Sequence, residues 1–256
     1  MYVSTLVSHN HIMNHFLKLF IALNIVFCFQ SDLSFAKKPV KVLIFSKTNG
    51  YRHKSISDGI LAIQKLGSAN GFVADTTENG LLFNPQNLKN YKAIIFLSPT
   101  AEVLNEDQKS AFQSYIRNGG GFVGIHGATD CMYKWEWYGK MIGAYFSDHP
   151  KIQEARLNIV DKKHASTKML SSTWTHTDEW YNFRFTNPAI KVLITIDEKS
   201  YSGGKNGSHH PVSWYHNFEG GRIFYTALGH TPENFTSDQV FLDHLLGGIK
   251  YAAKIK

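Results

Sequence analysis

Histidine side chains stand beside other polar groups at several points of this sequence. His53 ends the segment N-G-Y-R-H, and His126 and Asp130 enclose the segment H-G-A-T-D. Imidazole titrates near neutral pH and is also the commonest protein ligand of divalent metals. Together with carboxylates, it can carry acid–base chemistry or hold a metal ion that assists a reaction. We therefore treat His53, His126 and Asp130 as candidate catalytic residues.

The second half of the chain adds further groups of the same kinds. His149 lies in S-D-H-P, Asp178 and Glu179 lie in T-D-E-W-Y, and His230 lies in G-H-T-P. Glu179 is a candidate catalytic carboxylate, and His149, Asp178 and His230 are candidates for substrate binding. The sequence has neither H-E-x-x-H nor paired C-x-x-C, the standard zinc spacings. A divalent metal is therefore an option that the residues leave open.

Aromatic residues follow the acidic pair directly. Trp180 and Tyr181 are candidate substrate-binding residues, because flat rings stack on the C–H faces of sugars while their polar edges donate hydrogen bonds. Three other tryptophans are interpreted as core residues: Trp137, Trp174 and Trp214. Trp135 is assigned to neither group.

Each candidate also has a purely structural interpretation, which the sequence leaves open. A histidine can hydrogen-bond a backbone carbonyl or lie in a solvated or packed loop. An aspartate can cap a helix, and a short polar run can form an exposed turn. These interpretations apply to the strand-end His126, to the loop residues His53 and His230, to Asp130, and to the turns at His149 and at Asp178 and Glu179.

A pattern of short apolar runs determines where these residues lie. Buried strands are predicted at residues 41–46, 72–74, 91–97 and 121–125. Helices are predicted between them, one from Ile56 to Leu66 and one after the cap residue Asn105. Apolar strands that alternate with helices are typical of a parallel sheet covered on both faces. The first half is therefore predicted to be doubly wound α/β.

The second half is predicted to elaborate the same domain. Strands are predicted at 152–160 and 191–196, a hairpin at 212–215 and 222–227, and a helix at 237–253. A linker rich in Pro, Gly or Ser is absent after residue 36. We therefore predict one domain over residues 37–256.

Ligands of doubly wound sheets bind beyond the carboxyl ends of the strands. His53 follows the first predicted strand, and His126 and Asp130 follow the fourth. These three side chains are therefore expected to meet on one rim. Cys131 fits a thiol nucleophile poorly, because an elbow of the form G-x-nucleophile-x-G would use the position of His126 instead.

The N-terminus has the layout of a secretory signal. Lys18 precedes an apolar run from Leu19 to Phe29, and Ser34 and Ala36 are small residues before a cleavage point. The run is about half the ~20 residues that a membrane span needs. We predict a signal peptide over residues 1–36, a secreted or periplasmic location, and no stable membrane insertion after cleavage.

Composition excludes some classes of function. The 256 residues are 43% hydrophobic and 18% charged, which is ordinary for a globular protein. The net charge of +7 is dispersed along the chain, whereas nucleic-acid binders concentrate basic residues in a patch or stripe. We therefore expect no nucleic-acid partner, and the oligomeric state is left open.

Several segments together resemble the ThuA-like (trehalose utilisation) family. They are K-V-L-I-F-S-K-T-N-G-Y-R-H-K-S-I, G-G-G-F-V-G-I-H-G-A-T-D, S-D-H-P, T-H-T-D-E-W-Y-N-F and the long run from His210 to Phe235. The resemblance covers about residues 40–253. It implies a flavodoxin-like core akin to class I glutamine amidotransferases, without their cysteine nucleophile.

The resemblance also implies a role in the catabolism of disaccharides and keto-glycosides. In the matching motifs it places the site candidates His53, His126, Asp130, His149, Asp178, Glu179 and His230. The expected function is that of an exported hydrolase or lyase that uses histidine and carboxylate acid–base chemistry on a small carbohydrate. The alternative is a carbohydrate-binding protein without catalysis, and a thiol hydrolase using Cys131 is a disfavoured third.

Overall fold

A nine-stranded mixed sheet forms the centre of the structure. The computed structural model describes residues 38–256, so the predicted signal peptide lies outside the described residues. The strands in chain order are β1 (Val40–Phe45), β2 (Phe72–Thr77), β3 (Ala93–Leu97), β4 (Gly121–Ile125), β5 (Ala144–Asp148), β6 (Gln153–Ile159), β7 (Thr173–Asp178), β8 (Asn182–Phe185), β9 (Lys191–Ile196), β10 (His210–Phe218) and β11 (Gly221–Thr226).

The order of strands in the sheet is β2-β1-β3-β4-β11-β10-β9-β6-β7, and β5 and β8 form a separate antiparallel pair. The strands from β2 to β11 in this order are parallel. Every residue of β3 and β4 is buried, as expected for strands covered on both faces. The predicted α/β fold with an elaborated C-terminal half is confirmed.

Six α-helices accompany the strands in the described part of the chain. They are α1 (Ile56–Ala69), α2 (Pro85–Leu88), α3 (Glu106–Arg117), α4 (Glu136–Ile142), α5 (Pro232–Thr236) and α6 (Gln239–Ala253). The capping box predicted at the start of α3 is present, because Asn105 Oδ1 accepts from the Gln108 backbone N–H at 3.0 Å and Gln108 Oε1 accepts from the Asn105 N–H at 3.0 Å. No helix among residues 38–256 is long and apolar enough to span a membrane.

The second half differs from the prediction in specific ways. The segment between the strands predicted at 152–160 and 191–196 contains two further strands, β7 and β8. The helix predicted at 237–253 begins at Gln239, after the separate short helix α5. Strand β7 has the sequence T-W-T-H-T-D, and only His176 and Asp178 in it are buried. Such a half-buried strand has a weak apolar pattern, which explains why it was missed.

The direction of β7 decides the position of the acidic pair. Four successive antiparallel pairings separate β7 from β11. An even number of reversals makes β7 run in the same direction as the parallel strands. Its carboxyl end, with Asp178 and Glu179, therefore lies at the same edge of the sheet as the ends of β1, β4 and β11.

Candidate functional site

Three imidazoles and one carboxylate meet at this edge of the sheet. His126 directly follows β4, Glu179 directly follows β7, and His53 and His230 lie in the loops after β1 and β11. One nitrogen or oxygen atom from each of the four side chains lies within 4.8 Å of the others. We call His53, His126, Glu179 and His230 the inner cluster.

The contacts inside the inner cluster have hydrogen-bond lengths. His126 Nε2 lies 3.1 Å from His230 Nδ1 and 3.4 Å from Glu179 Oε2. His230 Nδ1 lies 3.1 Å from the same Glu179 oxygen. The ring of His53 stands edge-on to those of His126 and His230, with centroids 4.8 and 5.2 Å away. All four groups thus share one small volume.

His126 occupies the sharp turn at the end of β4. Its backbone has a φ of +45°, a conformation that costs energy for any residue except glycine and that clusters at functional sites. The side chain is fully buried, and its Nδ1 donates to the Ala227 carbonyl oxygen at 2.7 Å. Because the carbonyl can only accept, Nδ1 carries a proton, and Nε2 is the ring nitrogen that faces the cluster.

Glu179 carries the negative charge of the inner cluster. The residue is only 7% exposed. Burial raises the pKa of the carboxyl, but hydrogen bonds with His126 and His230 outweigh that effect and hold the pKa well below its usual range. The other carboxylate oxygen, Oε1, lies 3.0 Å from His149 Nδ1. Glu179 is therefore ionised at neutral pH and surrounded by imidazoles.

His53 is held as a neutral imidazole. Burial and the neighbouring His126 and His230 lower its pKa to about 2. Its Nδ1 is buried and has no hydrogen-bond partner among residues 38–256. A neutral ring of this kind can bind a cation through a nitrogen lone pair.

Asp178 positions the cluster rather than joining it. The residue is fully buried. Its Oδ2 accepts from the Gly229 backbone N–H and from Asn234 Nδ2, both at 2.8 Å, and its Oδ1 accepts from the backbone N–H groups of Glu179 and His230. Gly229 has a φ of +111°, which favours glycine in this turn. Asp178 thereby fixes the two loops that carry Glu179 and His230.

His176 is the charged partner behind Asp178. Its Nε2 lies 3.4 Å from Asp178 Oδ2, and its Nδ1 lies 3.0 Å from Asp238 Oδ2 at the start of α6. Burial lowers its pKa, but the two aspartates outweigh burial and raise it to about 9. His176 is thus a histidinium that joins β7 to α6 at neutral pH.

The raised pKa of His176 predicts how stability depends on pH. Its contribution is fully present below the unfolded-state pKa of about 6.5 and is lost as pH rises through about 9. We expect the free energy of unfolding to fall between these values, at no more than about 1.4 kcal/mol per pH unit from this group. Urea unfolding at several pH values should show a shallower fall for His176→Gln. Equal slopes for both proteins would contradict the assignment.

The inner cluster opens into a cleft of about 320 Å³. Its lining adds Tyr51, Asp130, Phe146, His149 and Tyr181 to residues of the cluster. Burial raises the pKa of Asp130, although a hydrogen bond from Tyr133 Oη to its Oδ1 at 2.7 Å opposes the shift. His149 is half-exposed at the mouth, with 42% of its side chain accessible. Asp130 and His149 are thus titratable groups that face the open part of the cleft.

A larger cleft of about 610 Å³ lies on the other side of Asp178. Its lining includes His176, Asn234 and Asp238, whose polar groups are already paired with one another or with Asp178. The smaller cleft combines convergent polar groups with two strongly shifted pKa values, which is the usual character of a functional site. We therefore assign the candidate site to the smaller cleft.

The two predicted aromatic residues have different environments. Tyr181 lines the cleft, and its ring centroid is 4.2 Å from that of His126. Trp180 is fully buried and donates from Nε1 to the Gln153 carbonyl oxygen at 2.8 Å, and it does not line the cleft. Trp214 is fully buried as predicted, while the remaining tryptophans are partly buried against the core: Trp135, Trp137 and Trp174.

Two lining residues were missed by the sequence analysis. Tyr51 is 60% exposed and stands edge-on to His53, with centroids 4.9 Å apart. Its place two residues before His53 in the same loop was a usable signal. Phe146 lies in β5, a strand that was not predicted, so no sequence pattern could place it in the cleft.

Cys131 is buried away from the cleft. The residue is fully buried, and its Sγ lies 3.4 Å from Tyr138 Oη. Burial raises the pKa of the thiol well above its usual range, so the reactive thiolate is scarce.

We expect Cys131 to resist iodoacetamide in the folded protein and to react after unfolding in guanidinium. Mass mapping of the peptide that contains Cys131 checks this result. Rapid alkylation of the folded protein together with loss of activity would support a thiol enzyme instead.

Comparison with known proteins identifies the family. The family model for ThuA, described as trehalose utilisation, matches residues 41–252. The chain belongs to the ThuA family. No curated protein matches the chain.

Solved structures share the ThuA fold. A ThuA-like protein from Bacteroides uniformis is 24% identical, with a TM-score of 0.72 over 86% of this chain and 94% of that chain. A ThuA-like protein from Parabacteroides merdae is 23% identical, with a TM-score of 0.68 over 84% and 90% of the two chains. A β-galactosidase from Bacillus circulans sp. alkalophilus is 14% identical, with a TM-score of 0.57 over 85% of this chain and 31% of its own.

Proposed function

We propose that this ThuA-family protein is an exported enzyme of carbohydrate catabolism that acts on a disaccharide or keto-glycoside. The observation that carries the proposal is the convergence of three imidazoles and an ionised carboxylate, of which His53, Glu179 and His230 line one cleft. The family description, trehalose utilisation, supports a carbohydrate as substrate.

A keto-glycoside can be cleaved by proton transfer alone. A base removes the proton on the carbon between the keto group and the anomeric carbon, and the electron pair forms a carbon–carbon double bond. The bond from the anomeric carbon to the glycosidic oxygen then breaks, and that oxygen takes up a proton. This step balances without an oxidant, and it needs one group that accepts a proton and one that donates a proton.

Asp130 and His149 are suited to these two roles. Both line the open part of the cleft, and both reach it from outside the inner cluster. Burial raises the pKa of Asp130 and so favours the protonated form that a general acid requires. His149 is half-exposed and so can reach a bound substrate, and imidazole is the side chain that most often serves as a general base.

The inner cluster supplies the polar floor of the same cleft. Glu179 is ionised there, and the neutral ring of His53 and the ring of His230 line the cleft beside it. Such fixed groups can bind and orient a sugar hydroxyl or keto oxygen without rearranging. Tyr51, which is 60% exposed, supplies an aromatic edge at the mouth against which a sugar ring can pack.

The experiment is incubation of the purified protein with a panel of disaccharides and glycosides, including their 3-keto forms. Mass spectrometry of the products identifies any bond that is cleaved. We expect cleavage of at least one keto-glycoside. Recovery of every sugar unchanged would reject the catalytic proposal.

A carbohydrate-binding protein without catalysis is the second candidate, and the exposed ring of Tyr51 favours it equally. Calorimetric titration with the same panel separates the two. Binding of a sugar that is recovered unaltered after long incubation would support the second candidate.

Export is supported by the layout of residues 1–36, with its short apolar run from Leu19 to Phe29. N-terminal sequencing of the protein from a secretion-competent bacterial host tests it. We expect the chain to begin at residue 37 in the periplasm or medium. Retention of the full chain in the cytoplasm would reject export and leave the cleft chemistry unaffected.

A further inference from the structure

We propose that the inner cluster of His53, His126, Glu179 and His230 binds one divalent metal ion of the zinc type. The consequence for catalysis rests on the proposed function, because the metal would lie at the floor of the same cleft. Metal binding itself can be measured without any substrate.

The spacing of the cluster matches a metal site. Tetrahedral ligands at the usual bond length of about 2.0–2.1 Å from zinc lie ~3.4 Å from one another. The three measured separations between His126 Nε2, His230 Nδ1 and Glu179 Oε2 are 3.1, 3.4 and 3.1 Å. The fourth ligand atom, from His53, lies within 4.8 Å of the others. Small side-chain movements therefore suffice to complete the coordination.

The hydrogen bonds around the cluster point its lone pairs inwards. His126 donates its Nδ1 proton to the Ala227 carbonyl oxygen, so Nε2 is the nitrogen that faces His230 and Glu179 and that would offer its lone pair to a cation. A backbone carbonyl that holds the outer nitrogen of a histidine is a common support for metal-bound imidazole. A cation can be bound by His126 Nε2, His230 Nδ1 and the Glu179 carboxylate at the same time. A single proton can form only one hydrogen bond between two of these three atoms.

His53 provides a second and independent observation. The residue is only 5% exposed, yet its Nδ1 has no hydrogen-bond partner in the described part of the chain. Buried polar atoms without protein partners are rare, and a bound ion or an ordered water usually accounts for them. A metal ion bound by this imidazole would explain why a ring with an unpaired nitrogen is buried.

The surroundings hold the ligands in place. Asp178 fixes the backbone of Glu179 and His230, and His149 Nδ1 lies 3.0 Å from Glu179 Oε1, the oxygen that points away from the other ligands. These contacts limit the movement of the carboxylate and of the loop after β11. A preorganised donor set loses less entropy when it binds a cation.

The donor types select the class of metal. Three imidazoles with one carboxylate suit zinc and related first-row transition metals, whereas magnesium and calcium prefer oxygen donors alone. The cleft beside Tyr51, Asp130 and His149 leaves room for a substrate oxygen on the open side. With the inner cluster occupied by a cation, proton transfer falls to Asp130 and His149.

The test is calorimetric titration of the chelator-treated, untagged protein with zinc chloride, and with magnesium chloride in parallel. We expect one zinc ion per chain with a Kd on the order of 1 µM or tighter, and no magnesium binding. His126→Ala and Glu179→Gln should each weaken zinc binding by about 10-fold or more. The control His209→Ala removes an exposed histidine outside the cleft and should bind zinc like the wild type.

Absence of zinc binding, or equal binding by the wild type and both cluster variants, would overturn the proposal. Circular dichroism establishes that the variants are folded. X-ray absorption of the zinc-loaded wild type needs no variant: we expect nitrogen and oxygen ligands at about 2.0–2.1 Å with imidazole scattering. A shell with fewer than two imidazoles would also overturn it.

The two proposals fail in different ways. Zinc binding without cleavage of any sugar rejects the enzyme and leaves the metal site. Cleavage that is undiminished in protein shown to be free of metal supports the enzyme and rejects the metal site as a catalytic element.

Discussion

Replacing His126 with alanine is expected to lower the rate of keto-glycoside cleavage by about 10²–10³-fold, the usual loss when a preorganised group that stabilises the reacting substrate is removed. The side chain lies within 3.4 Å of both His230 and Glu179, so its removal breaks the inner cluster at its centre. Steady-state turnover measured by mass spectrometry checks this result.

The fold should survive this substitution. The imidazole makes one hydrogen bond to a backbone carbonyl, whose loss costs about 1 kcal/mol and lowers Tm by about 2–4 °C. His209→Ala is the matched control and should keep full turnover. If His126→Ala turns over as fast as the wild type while His209→Ala does too, the cluster is not the catalytic centre.

Asp178→Asn is expected to destabilise the protein by about 3–5 kcal/mol, which corresponds to a fall in Tm of roughly 10 °C. The carboxylate is fully buried and accepts hydrogen bonds from three backbone N–H groups and one side-chain amide. An asparagine replaces one carboxylate oxygen by an NH₂ group. That group is itself a donor and cannot accept the hydrogen bonds of these N–H groups. It also leaves the histidinium of His176 with Asp238 as its remaining carboxylate partner.

Thermal and urea unfolding measure the effect of Asp178→Asn. Asp243→Asn is the control, because Asp243 is exposed on α6 and its carboxylate accepts from Gln239 one turn earlier. The control should change the free energy of unfolding by no more than about 0.5 kcal/mol. A loss of similar size in both variants would show that Asp178 does not anchor the two loops.

The first half of the fold could be predicted because its strands are continuous apolar runs. The prediction for β4, at 121–125, agrees with the structure at both ends, and His126 follows it at the expected edge of the sheet. His53 could be placed by the same rule, since it follows β1. Both predictions needed only the apolar pattern and the general property that parallel strands end at one edge.

Glu179 could not be placed in this way. Its position depends on the direction of β7, which follows from four antiparallel pairings of strands that are distant in sequence. Strand β7 has the sequence T-W-T-H-T-D, and its three threonines leave it without a continuous apolar face. Its sequence therefore did not predict a strand. The family resemblance named Glu179, but the pairing of strands explains why it reaches His126.

Trp180 was predicted to bind substrate because its neighbours in the sequence are site residues, and the structure does not place it in the cleft. It lies between Glu179 and Tyr181, which both line the cleft, and yet its ring is fully buried and does not line the cleft. Its indole N–H is satisfied by the Gln153 carbonyl oxygen. Sequence proximity to a site residue therefore did not indicate which face of the chain each ring would take.

The last strand of the sheet to be synthesised, β11, occupies a central position between β4 and β10. Until residues 221–226 have left the ribosome, β4 has no partner strand on the side that β11 will occupy. The loop that carries His230 has not been synthesised at that stage. Pairings between such distant segments form slowly, because a long loop must close first. Nascent chains should therefore lack a complete site until residue 230 has been synthesised and β11 has paired with β4.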